Sequence, residues 1–452
     1  MISTRPVAAL QYCVLAICLS GLCAWSIIAA PAHAQQAGRS PAAAASGWGA
    51  ATVVHPRKRA ITPPQPSAAT TPPAALADAT PAATGVVATG DTTATKITFD
   101  LTASVLATAR SVANPPRVIV DLPEIAFRLP PLAGKSAQGL ITGYRFGLIA
   151  PGKSRIVIDT TSPVEVAKSE VIGPIAPGVW RLVVELVPTT ASALAARELS
   201  EAVAILKPSI VTTPVPPRTG NTRPVIVVDA GHGGIDSGAT GAKFQEKDVV
   251  LGVARQLRRR LIATRRYEVV MTRASDVFIS LDERVAISRR TQADLFVSIH
   301  ADSLPPSEHA ASVRGATVYT LSDRASDAFA ARMAEKENAV DLLAGLPASS
   351  TSDDHVRAIL VDLMRRETAT FSSAFRKVLI DRLRPNIKLA AEPFRSGPFR
   401  VLKQAGSPSV LIELGYMSNP TDERLMVAAG WQQKVADAIV KAIDQYFRTH
   451  RH

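Results

Sequence analysis

Cysteine is nearly absent from the sequence and is confined to its beginning. The chain of 452 residues has three cysteines, and the last of them is Cys23. The remainder has no thiol with which to form a disulfide, and any metal site there must use histidines and carboxylates. Aromatic residues make up only 5% of the composition, so we expect cores built mainly from aliphatic side chains.

The first 34 residues have the pattern of a secretory signal peptide. Arg5 supplies a positive charge, an apolar stretch runs from about residue 14 to 30, and Ala32-His33-Ala34 has the small-x-small pattern of a cleavage site. A membrane anchor that is never cleaved is the alternative, although the apolar stretch is short for a span. The segment has no twin-arginine pair. We therefore expect an exported protein that uses the general secretion route.

The chain has an excess of positive charge, with a formal net charge of +13. For an exported protein, the abundant polyanions are membrane surfaces and the peptide carboxylates of the cell wall. A solvated basic surface without a partner is the alternative, and charge alone does not decide between the two.

Composition divides the first half of the chain into three parts. Residues 35–94 are rich in Pro, Ala and Thr and predict a disordered tether. Residues 95–189 predict a small all-β sandwich, because three short aliphatic runs lie between charged residues and turn residues, at 117–121, 155–159 and 181–185. This module has no cluster of His and Glu, so it favours targeting over catalysis, with a structural spacer as the alternative. Residues 190–223 predict a linker.

From residue 224 the pattern changes to alternating strands and helices. Short apolar runs predict strands at 225–229, 268–272, 295–299, 315–321, 399–402 and 409–413. Apolar residues at helical spacing predict helices between them, including one after Glu246 and one over 431–447. This alternation predicts an α/β domain over 224–448, with a mixed sheet flanked by helices, preceded by the all-β sandwich.

A glycine-rich loop follows the first of these strands. Five glycines lie among the thirteen residues from Asp229 to Gly241, and they let the backbone fold tightly around a group held by His232. A phosphate-binding loop is the rival interpretation, but the following helix does not start with Gly-Lys-Ser/Thr. Glu246 lies there instead, either as a carboxylate that interacts with the helix dipole or as a partner of His232.

A second histidine and a second glutamate end two other predicted strands. His300 follows the apolar run that starts at Leu295, and Glu413 follows the run that starts at Ser409. Ligands bind beyond the carboxyl ends of strands in open α/β sheets, so we expect both side chains to meet His232 there. A satisfied core histidine and a salt-bridged glutamate are the alternatives.

Two histidines and one carboxylate with an open fourth position are typical of catalytic zinc. His232, Glu246 and His300 are therefore the candidate ligands, and water in the open position would have its pKa lowered to about 7. Glu413 is the candidate catalytic residue, since a buried carboxylate is costly unless it is used or paired, and it could pass a proton to a leaving amine. The sequence has no HExxH motif, so the spacing of these residues is only moderately specific for zinc.

Taken together, the motifs resemble one enzyme family. VVDAGHGGIDSGATG, QEKDVVL, MTR, SLDERVAISR, ADLFVSIHAD and VLIELGYMSN stand in the order found in zinc-dependent N-acetylmuramoyl-L-alanine amidases of the AmiA/AmiB/AmiC type. The resemblance covers residues 224–448. It implies that His232, Glu246 and His300 bind Zn²⁺ and that Glu413 is the catalytic glutamate. The implied reaction is hydrolysis of the amide bond between N-acetylmuramic acid and L-alanine in peptidoglycan.

Two other segments extend the resemblance. Residues 95–189 are similar to the AMIN domain, a β-sandwich that brings such enzymes to peptidoglycan at the division site. Residues 323–385 form an insertion where related amidases carry an autoinhibitory helix, which an activator protein with a LytM domain displaces. Glu337 is the candidate blocking ligand, and an ordinary surface helix pair is the alternative. The resemblance implies a periplasmic enzyme of a Gram-negative bacterium that separates daughter cells, and we expect a monomer.

Two other functions are compatible with some of these residues. A zinc carboxypeptidase would need a clamp for the substrate carboxylate, such as an arginine, and would leave the lactyl amide intact. A catalytically inactive wall-binding or activator protein would have lost a ligand or Glu413, whereas all four residues are present. Ala230 and Asp302 stand where many of these amidases have Pro and Asn, and we expect neither departure to affect metal binding.

Overall fold

The computed structural model describes residues 80–130, 133–195, 223–304, 312–346, 355–404 and 406–450. The expected signal peptide at 1–34 lies outside these ranges, as do most of the expected tether at 35–94 and most of the expected linker at 190–223. Among the helices within these ranges, none is long and apolar enough to cross a membrane.

The β module is a sandwich of two sheets. Its strands are β1 Ala82–Gly90, β2 Thr95–Leu101, β3 Thr108–Val112, β4 Arg117–Pro123, β5 Ala126–Phe127, β6 Ile141–Ala150, β7 Lys153–Thr160, β8 Val164–Ala176 and β9 Val179–Pro188. One sheet has the order β5-β1-β2-β9-β8 and the other β3-β4-β7-β6. Alternate residues of both sheets, such as Phe99, Val120 and Ile158, are fully buried in the core between them. The predicted all-β fold is confirmed.

The module begins earlier than the expected residue 95, because β1 lies in the segment that we predicted to be tether. β1 pairs with β2 along most of its length, with Val86 opposite Phe99. Its sequence, AATGVVATG, consists mostly of small residues and shows no clear alternation of apolar and polar side chains. This segment is a strand because it pairs with neighbouring strands. Its own residues have only a weak preference for β structure, so the sequence does not predict it.

The α/β domain contains one mixed sheet. Its strands are β10 Val225–Ala230, β11 Glu268–Met271, β12 Leu295–His300, β13 Ala316–Leu321, β14 Leu389–Gly397 and β15 Ser409–Glu413, in the order β11-β10-β12-β15-β13-β14. The strands β11, β10, β12 and β15 are parallel, and β13 runs antiparallel to β15. The carboxyl ends of β10, β12 and β15 therefore lie side by side, and we call this the carboxyl end of the sheet.

Helices cover both faces of this sheet, as predicted. They are α1 Glu246–Ala263, α2 Leu281–Arg290, α3 Ala328–Asn338, α4 Val340–Leu343, α5 His355–Leu383, α6 Pro420–Met426 and α7 Ala429–Thr449. Val228 and Val297 pack with α1, α5 and α7 on one face. Their neighbours Val227 and Phe296 pack with α2 and α3 on the other. Both faces of these strands are buried, which explains their continuous apolar runs.

One predicted strand is wrong. Residues 399–402 form no strand, and Arg400–Leu402 is a short 3₁₀ helix whose neighbour Phe399 is buried with Val401 and Leu402 under α2 and α3. A short apolar run does not by itself distinguish a strand from another buried segment. The strand that precedes this segment in the chain is β14, which lies at the edge of the sheet and contains Pro393. Proline is tolerated on an edge strand, but it hides the strand in the sequence.

The four-stranded sheet of the β module packs against the α/β domain. Ile119 and Val157 form a buried apolar cluster with Ile235, Phe278 and Ala344 of that domain. The backbone of Leu148, in β6, accepts hydrogen bonds from the N–H groups of Ile235 at 3.2 Å and Phe278 at 3.3 Å.

Two buried arginines of the β module donate to carbonyl groups just after α3. Arg117 donates to the carbonyl oxygen of Leu342. Arg155 donates to the carbonyl oxygens of Ala344 at 3.1 Å and Gly345 at 3.3 Å. These carbonyls lie at the end of α4, where intrahelical donors are missing. The β module thus contacts the insertion that we predicted at 323–385.

Candidate metal centre and active site

Three predicted ligands are placed at the carboxyl end of the sheet by three different elements. His232 lies in the loop after β10, and His300 is the last residue of β12, the strand next to β10. Glu246 is the first residue of α1. Because β10 and β12 are parallel neighbours, their carboxyl ends meet, and α1 starts from the loop that carries His232.

The ligand atoms of these residues converge. Oε1 of Glu246 lies 3.1 Å from Nε2 of His232 and 3.4 Å from Nδ1 of His300. One ligand atom from each residue lies within 4.8 Å of the others, and all three side chains are buried. Ligands at about 2.0–2.1 Å around a tetrahedral zinc ion are separated by roughly 3.3 Å. The measured separations therefore fit one shared cation.

The hydrogen bonding of the histidines also fits a cation. Within the described residues, Nε2 of His232 and Nδ1 of His300 are buried and have no hydrogen-bond partner. A buried polar atom without a partner is costly, so a group between these two atoms would remove that cost. The other ring nitrogen of His232, Nδ1, lies 2.8 Å from Oδ2 of Asp236. A carboxylate in this position orients the ring and increases the basicity of a metal-binding histidine.

Backbone N–H groups hold the Glu246 carboxylate. Its Oε1 accepts a hydrogen bond from the N–H of Ala301 at 2.7 Å, and its Oε2 accepts one from the N–H of Ala239 at 2.8 Å. Glycines leave room for this arrangement. A Cβ on Gly231 would lie 2.4 Å from His300, and one on Gly238 would lie 2.7 Å from both Glu246 and His232. Gly238 also has a φ of +64°. The glycine-rich loop is thus needed for close packing around the three side chains.

Two buried arginines fix the backbone of the metal loop, and sequence reasoning assigned them no role. Arg284 donates to Oδ1 of Asp229 at 2.6 Å and to the carbonyl oxygen of His232 at 2.8 Å. Arg273 donates to the carbonyl oxygens of Ala230 at 2.9 Å and Gly231 at 2.7 Å. The available signal was their presence in the motifs MTR and SLDERVAISR. His232 has a φ of +57°, so these bonds hold the loop in a conformation that a histidine rarely adopts.

The charge balance of the site favours a bound cation. Burial lowers the pKa of His232, but Asp236, Glu246 and Glu337 outweigh burial and raise that pKa well above its ordinary value. Burial raises the pKa of Glu246, but the two histidines outweigh it and hold that pKa well below its ordinary range. A carboxylate held ionised between two imidazoles is suited to bind a cation.

Glu413 lies beside the three candidate ligands. It ends β15 and is the register partner of His300. Its Oε2 accepts a hydrogen bond from the N–H of Asp302 at 3.0 Å, and within the described residues its Oε1 is buried without a partner. Burial, with Asp302 and Glu246 nearby, raises the pKa of Glu413 well above its ordinary value. A carboxyl group with a raised pKa is suited to accept and return a proton.

Glu337 of α3 reaches the same point as the three candidate ligands. Its Oε2 lies 3.1 Å from Nδ1 of His300 and 3.6 Å from Nε2 of His232, and the residue is 3% exposed. The preceding residue, Lys336, forms an ion pair with Asp302. From the sequence we expected no role for Asp302 in metal binding. In the structure, Asp302 contacts both α3, through Lys336, and Glu413. Apart from His232 and His300, the only histidine whose side chain the structure describes is His450, and it lies outside this site.

Comparison with known proteins gives two family matches. A family profile described as N-acetylmuramoyl-L-alanine amidase matches residues 226–445, and the AMIN domain profile matches residues 86–193.

The chain is also similar to individual proteins. The chain is 33% identical to the N-acetylmuramoyl-L-alanine amidase AmiC of Escherichia coli over 356 residues, which is 75% of this chain and 82% of the relative. It is 39% identical to AmiA of E. coli over 233 residues, which is 51% of this chain and 78% of the relative. Among solved structures, the catalytic domain of the CwlV amidase from Paenibacillus polymyxa is 28% identical, with a TM-score of 0.37, and covers 50% of this chain and 99% of its own.

Proposed function

Since this chain belongs to the N-acetylmuramoyl-L-alanine amidase family and carries an AMIN domain before its α/β domain, we propose that it is a zinc-dependent enzyme. It hydrolyses the amide bond between N-acetylmuramic acid and L-alanine in peptidoglycan. The observation that supports this most directly is the convergence of His232, Glu246 and His300 on one point. Within the part of the chain that the structure describes, Nε2 of His232 and Nδ1 of His300 have no hydrogen-bond partner, and both lie close to Oε1 of Glu246.

His232, Glu246 and His300 would hold the zinc ion, which when bound supplies Lewis acidity to the scissile carbonyl and to water. Glu413 accepts the proton of the attacking water on its partnerless Oε1 and returns it to the leaving amine of L-alanine. The N–H of Asp302 holds Oε2 of Glu413 and so fixes the direction of Oε1. The general base must lie within hydrogen-bond reach of the water, and the register of His300 and Glu413 on adjacent strands provides this proximity.

We propose that α3 inhibits the enzyme. Glu337 lies close enough to both histidines to take the open fourth position at the zinc ion, which would exclude water and substrate. The ion pair between Lys336 and Asp302 and the buried arginine contacts of the β module hold this segment in place. Displacement of α3 by a periplasmic activator with a LytM domain would then start hydrolysis. The biological role that fits is cell-wall remodelling and daughter-cell separation by an exported, monomeric enzyme with a cleaved signal peptide.

The reaction is tested with purified protein and defined muropeptides. Metal analysis should find one zinc ion per chain, and mass spectrometry should find products in which the lactyl amide is cleaved. Glu413→Gln should keep the zinc and lose hydrolysis by at least 10²-fold, because proton transfer contributes roughly that much. A preparation that releases only C-terminal amino acids, with the lactyl amide intact, would favour the carboxypeptidase alternative instead.

A further inference from the structure

A cavity of about 730 Å³ lies where β13 and β14 begin. Its walls include the residues that precede β13, the turn after α5, the start of β14 and Tyr416. Thr317 of β13 is the register partner of Glu413, and Ala316 is the partner of Leu389 in β14. Both strands therefore begin at the end of the sheet where Glu413 lies.

The cavity has a net positive lining. Four cationic side chains and a single carboxylate, Glu392, belong to its lining, and the cations are Arg314, Arg384, Lys388 and Arg395. Asp422 orients Arg314 at 3.2 Å. Arg384 and Lys388 are exposed, and within the described part of the chain no carboxylate forms an ion pair with either of them. Arg395 is paired as well, with Asp327, so Arg384 and Lys388 supply the positive charge that Glu392 does not balance. Positive charge of this kind in a concave site favours an anionic ligand.

The inhibitory helix covers one side of this cavity. Phe329 of α3 lines it and packs edge to face against Tyr416, with the ring centroids 6.0 Å apart. The guanidinium of Arg395 lies 4.4 Å from the centroid of the Phe329 ring. The same guanidinium forms a 3.0 Å ion pair with Asp327, the N-cap residue of α3.

Helix α3 therefore has a carboxylate at each end, and each carboxylate meets one part of the site. Asp327 contacts the basic cavity, and Glu337 contacts the proposed metal ligands. The two residues are separated by ten positions, which is about 15 Å at ~1.5 Å per helical residue. An extended peptide covers this distance with about four to five residues at ~3.3–3.6 Å each. A short peptide attached at the scissile amide would reach Arg395 with a carboxylate of its own.

We propose that the basic cavity binds the carboxylates of an acidic stem peptide, and that Asp327 occupies the position of one of them while α3 is in place. This rests on the proposed amidase function, because that function places the peptide amide at Glu413. Arg395 recognises a carboxylate through its planar guanidinium. Arg384 and Lys388 add positive charge further along the peptide. Release of α3 frees Arg395 from Asp327 at the same time as it frees the metal site from Glu337.

The test is a binding measurement on the full-length, zinc-loaded protein by calorimetry. The probes are a synthetic acidic pentapeptide, L-Ala-D-Glu-diaminopimelate-D-Ala-D-Ala, and the same peptide with its carboxyl groups amidated. The double variant Arg384→Gln/Lys388→Gln should bind the acidic peptide about tenfold more weakly than the parent and should no longer distinguish it from the amidated peptide. The matched control is Arg258→Gln/Arg259→Gln, which removes two exposed charges of α1 and should leave binding unchanged.

Asp327→Asn gives an independent result in the opposite direction. Asparagine is as good an N-cap as aspartate, so α3 keeps its cap while Arg395 loses its ion pair. Affinity for the acidic peptide should rise several-fold. Equal binding of the acidic and amidated peptides by the parent, or unchanged binding by the double variant, overturns the inference even if the protein cleaves muropeptides. Charge-dependent binding without any cleavage of the lactyl amide would instead overturn the proposed function and leave the cavity assignment standing.

Discussion

Glu337 Oε2 lies 3.1 Å from His300 Nδ1, although His300 precedes β13 in the chain and Glu337 follows it. The contact places a carboxylate of the inserted helix within the group of proposed metal ligands. Both residues are buried, so the contact excludes water from the site.

Glu337→Ala should increase the rate of muropeptide hydrolysis by the full chain at least tenfold, without an activator. The reason is that water and substrate could then approach the residues that would hold the zinc ion, where the Glu337 carboxylate now lies. Glu335→Ala is the matched control, because Glu335 is an exposed glutamate of the same helix. Zinc content should stay at one ion per chain in both variants. A Glu337→Ala protein that is folded and loaded, but no faster than the parent, would contradict the inhibitory role.

Asp236→Asn should weaken zinc binding by about 10–100-fold, as measured by competition with a chelator. Asp236 lies 2.8 Å from Nδ1 of His232, and loss of such a partner typically has an effect of this size. Asp437→Asn, which changes an aspartate of α7 paired with Arg260, should have no effect on the metal. If the two variants hold zinc equally well, Asp236 does not act through His232.

Arg284→Ala should lower the free energy of unfolding by about 3–5 kcal/mol, because it leaves the fully buried Asp229 without its counter-charge. Arg289→Ala changes an exposed arginine of the same helix and should stay within about 0.5 kcal/mol of the parent. Urea unfolding of both variants measures the difference. A loss of less than about 1 kcal/mol for Arg284→Ala would show that Ser298 and Thr272, which also donate to Asp229, suffice to stabilise it.

Arg155→Ala should increase hydrolysis without an activator several-fold. Asp121 holds the Arg155 guanidinium, which donates to the carbonyl oxygens of Ala344 and Gly345. Without these bonds the segment after α3 loses part of its attachment to the β module. Arg181→Ala removes an arginine that pairs with Asp100 in the other sheet, and it is the control. Equal rates for the two variants would show that the β module does not restrain α3.

Much of the fold could be predicted from the local pattern of apolar residues. The strands that end in His232's loop, at His300 and at Glu413 are continuous aliphatic runs, because helices bury both of their faces. The rule that parallel strands place their carboxyl ends together was then enough to predict that the side chains at those ends would lie close to one another. In the structure, ligand atoms of His232 and His300 lie within 4.8 Å of each other and of Glu246, which starts α1.

Other elements carried no comparable signal. β1 consists mostly of small residues and is a strand because β2 and β5 pair with it. β14 is an edge strand with a proline, whereas the more apolar residues after it form a 3₁₀ helix. The roles of three buried charged residues depend on their neighbours in the folded protein: Asp236, Arg273 and Arg284. The periodicity of the sequence does not reveal those neighbours.

The sequence by itself determined the family, the α/β and all-β architecture, and the residues proposed as metal ligands, because motifs and hydrophobic periods are local properties of the chain. The tertiary structure alone decided that Lys336 pairs with Asp302, that Arg155 holds the segment after α3, and that four cations surround one cavity. Each of these arrangements joins residues that are distant in sequence, and only packing of the whole domain sets the distances between them.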